Sequence, residues 1–384
     1  MSEGFSEVTS KGWFERIVES IKGVLIGLVV FVIAFPLLFW NEGNSVKTYL
    51  GLKKGESEIV EASPEKIDPA LQDKLVHLTG LATTTDQLRD ANFGVDINAL
   101  RLQRTSEIYQ WVESFESKTR KKLGGGDETV KTPVYKQKWT NEAKDSSKFK
   151  DPADHENRGV YEYPSQSSIA TKVTLGAFTL PRDLVGRINS FEPLPAEAID
   201  LQKGAEGVKT GWKSTGGWIY RGSDPNTPAI GDMRVKFTAV KPTTVSLYAQ
   251  QVNDSFRPYP VSDSLKLERI QVGTVSAKEM FANAQSENTT LTWMLRGLGL
   301  FLMWLGITLI FKPLVVIADV VPIFGNVLQM GIGLFAILIA LPLTLVTIAI
   351  GWIYYRPVLA ISLLVAAAAV FGLMFVLGRR KKAA

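Results

Sequence analysis

Residues 23–40 read GVLIGLVVFVIAFPLLFW, without a single charged side chain. A bilayer core about 30 Å thick is crossed by roughly 20 apolar residues of helix, and this run fits. No small-residue cleavage site follows it; Phe39, Trp40, Asn41 and Glu42 stand there instead, so the run reads as an uncleaved anchor and not as a signal peptide. Charges vanish again over 297–311, 320–355 and 357–378, whereas the long middle of the chain has the composition of a water-soluble protein. The fold expected is α+β: four transmembrane helices, one N-terminal and three C-terminal, plus a large extracytoplasmic α+β domain rich in antiparallel sheet.

The expected order is an N-terminal interfacial helix at 1–22, a span at 23–40, the α+β domain at 41–292 and a second span at 293–311. An amphipathic or re-entrant segment at 312–330, spans at 331–355 and 356–378 and a basic tail at 379–384 complete it. The uncharged stretch 320–355 is too long for one crossing, and Pro322, Gly325 and Asn326 mark the expected break. Arg379, Arg380, Lys381 and Lys382 form the densest basic cluster beside any span, which places the tail in the cytoplasm. Four crossings put the N-terminus with it and the 41–292 domain outside, in the periplasm of a bacterium or the lumen of a eukaryotic organelle.

Within the spans, Gly23 with Gly27, Ala336 with Ala340 and Ala368 with Gly372 have the spacing that lets helices approach closely. Trp13, Trp40, Trp293 and Trp352, with Arg296 and Arg356, sit at span edges as interface anchors. Lys312, Asp319 and Asn326 recur every seven residues as a polar stripe on an otherwise apolar helix.

In the domain, Tyr109, Trp111 and Phe115 alternate with Ile108 and Val112, and Tyr135 and Trp139 repeat the device beyond a turn at Leu123–Asp127. That pattern predicts a long hairpin with aromatic cross-strand neighbours. Met233–Ala239 and Val245–Ala249, separated by Lys241 and Pro242, predict a second antiparallel pair. Further strands are expected at 57–62, 74–79, 173–179, 217–221 and 265–272, helices at 181–188 and 276–285, and a polar loop at 141–168.

The 384 residues include no cysteine, which excludes disulfides, thiolate nucleophiles and cysteine-based metal centres. His77 reads as a structural strand residue, and His155, beside Asp151, Asp154 and Glu156, lacks the ordering of a calcium loop. No catalytic site, metal or cofactor is expected, and a net charge of +5 does not call for nucleic acid. The expected function is a membrane scaffold that organises protein complexes, its partners the lipid bilayer, other membrane proteins and copies of itself. The rivals are an oligomeric channel or transporter, using the polar stripe with Thr344 and Thr347, and a membrane-adjacent enzyme acting on lipid or envelope polymer.

Several fragments resemble the LUMA, or transmembrane protein 43, family: Gly12–Ile17, Asn41–Gly43, Leu75–His77, Asn92–Val95, Tyr109–Glu113, Gly231–Val235, Leu343–Trp352 and Tyr355–Pro357. The loop insertions, including the glycine-rich turn, mark this chain as a divergent or bacterial member. The resemblance implies four spans with both termini cytoplasmic. For animal members it implies residence in the endoplasmic reticulum and inner nuclear membrane, with lamins and emerin as partners.

Overall fold

The structure, a computed structural model, describes residues 6–358, 360 and 361. The chain divides into two compact units: 53–117 and 131–282 with residues 6–7, and 8–52 and 118–130 with the described residues from 283 on.

The first unit is built on sheets. One runs Asp127–Thr140, Arg101–Lys121, Met233–Val240, Trp218–Arg221, Lys213–Thr215, its first two strands running on into residues 118–130 of the second unit, and the other Phe178–Leu180, Val173–Leu175, Leu75–Thr83, Thr243–Val252, Ser255–Arg257. The long hairpin forms as expected, with Tyr109 and Trp139 ring centroids 5.3 Å apart. The expected pairing of Met233–Ala239 with Val245–Ala249 does not form. Met233–Val240 pairs antiparallel with Arg101–Ile108, and Thr243–Gln250 with Leu75–Ala82. Pro242 has no N–H to give a ladder, and here the chain passes from one sheet to the other. Val235, Phe237 and Ala239 thereby meet Val245, Leu247 and Ala249 in a single core. The opposite face of the second strand is covered too, since Tyr248 stacks on Phe281 at 4.7 Å.

Smaller differences have local causes. The strand expected at 173–179 breaks at Gly176, whose φ of +60° and close approach to the Pro64 carbonyl exclude a Cβ. The stretch 265–272 divides between two partners, Tyr259–Ser262 and Thr243–Val252. The loop 141–168 is folded onto the hairpin: Asn157 bonds both Trp111 N and Trp111 O, and His155 stacks on Tyr135 at 3.6 Å. Tyr135 donates to Glu113 Oε1 at 2.7 Å and accepts from Asp151 N at 2.9 Å. Burial, followed by the bond to Glu113, pushes its phenol up to about 12. A raised folded value stabilises the fold below the unfolded tyrosine pKa of about 10, and the contribution is lost as pH rises from there through the folded value. Phenolate absorbance during alkaline titration is therefore expected to show a late component that loses the amplitude of one phenol in Tyr135→Phe, the raised Tyr220 and Tyr259 remaining.

The second unit carries three long helices: α1 (Trp13–Glu58), α2 (Ala277–Ala318) and α3 (Pro322–Tyr355). Among the described residues these three are long and apolar enough to cross a membrane. The fourth expected span, 356–378, lies almost wholly outside the described residues, as does the basic tail. The helix expected at 276–285, the span 293–311 and the start of the amphipathic segment form one continuous α2. In its polar stretch hydroxyls find acceptors one turn back, Thr289 at Gln285 O and Thr292 at Asn288 O. The break falls at Asp319–Val321, ahead of its expected place. Pro322 opens α3, a position where its missing N–H costs nothing. The polar stripe is thus divided among the end of α2, the turn and the first turns of α3.

Candidate functional site

The functional geometry of the helical unit begins at the turn between α2 and α3. Asp319 is fully buried. Its Oδ2 lies 2.6 Å from Arg16 Nη2 and its Oδ1 2.7 Å from Lys121 Nζ. Lys121 also donates to Asn326 Oδ1 at 2.8 Å, and Arg16 reaches Asp127 at 3.1 Å and the Gly125 carbonyl at 2.5 Å. Trp13 Nε1 donates to Val316 O, and Gly124 N to Val320 O. Gly125, at φ +82°, faces the Trp13 ring so closely that a Cβ would overlap it. Two cations on one dry carboxylate, with every oxygen engaged, tie the first turn of α1, the hairpin tip and the α2–α3 turn together.

Asp319 and Asn326 of the polar stripe are thus brought to one lysine, while Lys312 is exposed and lines a cavity with Arg16, Lys121 and Asp319. Arg16, Lys121 and Asp127 were not legible as site residues, because their partners lie far away in the chain. Arg16, from the segment expected as an interfacial helix, is brought to the hairpin tip 118–130.

A second cluster holds α1, α2 and α3 together. Glu42 is buried at 2 % exposure; Arg296 Nε meets its Oε1 at 2.7 Å, and Arg296 Nη2 its Oε2 at 2.8 Å. Trp352 Nε1 donates to the same carboxylate at 2.8 Å. The guanidinium also lies 4.7 Å from the Trp293 ring and 5.7 Å from that of Trp352. Gly43 packs on the Tyr355 ring, and Gly351 leaves room for Glu42. Asn41 Nδ2 donates to Thr292 O and Thr292 Oγ1 to Ser45 Oγ. Of the residues read as interface anchors, Trp40 and Trp293 point outward, Arg356 lies over Tyr49 at 5.9 Å, and Trp13, Trp352 and Arg296 serve internal acceptors.

At the crossing of α1 and α2, a Cβ on Gly27 would sit 2.8 Å from the Gly306 carbonyl and one on Gly306 2.8 Å from that of Gly27. Gly23 has open space. Ala336 and Ala340 are fully buried against Ala34, Leu38 and Met303. Ala368 and Gly372 lie outside the described residues. In the sheet unit, His77 has both ring nitrogens engaged, Nδ1 with Glu61 at 2.6 Å and Nε2 with Val275 O at 3.0 Å. Among the described residues no three acidic or histidine side chains are grouped to hold a metal.

A family profile described as Transmembrane protein 43 matches residues 108–357. Transmembrane protein 43 of Rattus norvegicus is 32% identical over 91% of this chain and 88% of its own length, and that of Homo sapiens 31% identical over the same shares. The Drosophila melanogaster homolog is 26% identical over 90% of this chain and 92% of its own. No solved structure matches. With the apolar helices, these likenesses establish an integral membrane protein, and the chain belongs to the transmembrane protein 43 family.

Proposed function

We propose that this protein is a non-catalytic membrane scaffold, held in the bilayer by its long helices and binding other membrane proteins or further copies of itself. The observation that carries the reading is the use made of buried charge in the helical unit. Glu42 closes on Arg296, and Asp319 on Arg16 and Lys121, so these groups fix elements to one another. A channel reading needs polar groups free to line a wet path, and Asp319 and Asn326 are both committed to Lys121.

The finer placement follows the basic tail and the family resemblance: a fourth span at 356–378, both termini cytoplasmic, and the sheet-bearing segments outside. The membrane would be the inner membrane of a bacterium, or the endoplasmic reticulum and inner nuclear membrane of a eukaryote. In the latter, lamins and emerin are the partners the resemblance supplies. Cross-linking in native membranes followed by mild-detergent purification is expected to yield a discrete homo-oligomer or a reproducible partner. A strictly monomeric, partnerless protein would sink the proposal.

A further inference from the structure

We propose that the cavity beside Lys312 binds one anionic phospholipid, its phosphate at Lys312 and an acyl chain along Trp304, Leu305 and Ile332. The cavity measures about 380 Å³, within the size of small-molecule sites, roughly 300–1,000 Å³. Part of its lining is apolar: Leu305, Leu309 and Ile332, with the Trp304 ring fixed by a bond from its Nε1 to Gly333 O at 3.0 Å. Thr308, also in the lining, turns its hydroxyl back to Trp304 O at 2.7 Å. The lining also holds Arg16, Lys121 and Lys312, with the Asp319 carboxylate and the Gln329 amide.

Charge decides the headgroup. Arg16 and Lys121 are balanced by Asp319 and Asp127. Lys312 has no hydrogen bond or ion pair with the described residues, and Glu19, near enough to feel it, is held by Lys11 Nζ at 2.6 Å. Among the described residues Lys312 is therefore the one cation of the lining with no carboxylate in contact with it. It directly follows the uncharged stretch 297–311, so the polarity of the cavity grades from headgroup level inward to chain level. A free phosphate would leave Leu305, Leu309 and Ile332 uncovered, and a zwitterionic lipid would bring its own cation beside Arg16, Lys121 and Lys312.

The test is native mass spectrometry of the full-length protein released from detergent containing phosphatidylglycerol or phosphatidylcholine. One phosphatidylglycerol is expected to stay bound in preference to phosphatidylcholine. Losing a charge-assisted contact in Lys312→Glu should reduce its occupancy about tenfold or more, and Leu305→Trp, which fills the apolar part of the lining, should exclude it. Lys312 is exposed, so an unchanged melting temperature of Lys312→Glu keeps that result decisive even if Leu305→Trp fails to fold. Equal retention of both lipids, or retention indifferent to Lys312→Glu, overturns the assignment. Displacement by inorganic phosphate alone would identify a free-anion site and overturn it likewise.

Discussion

Glu42→Ala is expected to destabilise the protein by about 3–5 kcal/mol, because it strands Arg296 between helices with no carboxylate to answer it. Only 14% of the Arg296 side chain is exposed, and Trp352 loses its acceptor in the same stroke. In a detergent thermal melt the loss should appear as a fall of roughly 6–20 °C. Arg296→Ala should cost a similar amount by stranding Glu42. The double replacement Glu42→Met with Arg296→Met is expected to recover much of it, since a buried pair exchanged for apolar groups of similar volume is often near neutral. Single variants within about 0.5 kcal/mol of the parent would show the pair behaving like an ordinary surface contact.

Asp319→Ala is expected to have an effect of comparable size, about 3–5 kcal/mol, and to free the hairpin tip as well. Arg16 and Lys121 converge on that carboxylate from segments remote in sequence. Without it they repel each other, and the tip loses its hold. Trypsin should then cut faster at Lys118, Arg120, Lys121 or Lys122. Gly325→Ala should reproduce the defect from the other side, because its Cβ would overlap the Asp319 carboxylate. Cutting rates unchanged in both variants would mean the tip is held by other contacts.

The apolar spans were legible because a lipid-facing helix must be apolar on its outer face over the bilayer thickness. Their true ends were not. α1 runs on past Trp40 to Glu58 because Asn41, Glu42 and Ser45 find partners on its neighbours, and local hydropathy carries no record of those bonds. The aromatic alternation disclosed the hairpin, since cross-strand pairing there is local. Sheet membership of Met233–Val240 and Thr243–Val252 depended on strands far away in the chain, so the same alternation suited either pairing. At the site, Asp319 and Asn326 stood out as polar residues in an apolar run. Arg16 and Lys121, 303 and 198 residues from Asp319, looked like ordinary surface cations.

The pairing of Leu75–Thr83 with Thr243–Val252 sets an order of events during synthesis. A ribosome adding about 5–20 residues per second needs roughly 8–32 s between finishing the first of these strands and starting the second. Throughout that interval the nascent α1 is already available for insertion, while an apolar strand waits with an open edge, the condition under which chains aggregate. Any shielding of that unfinished sheet edge has to last until Thr243–Val252 has been made.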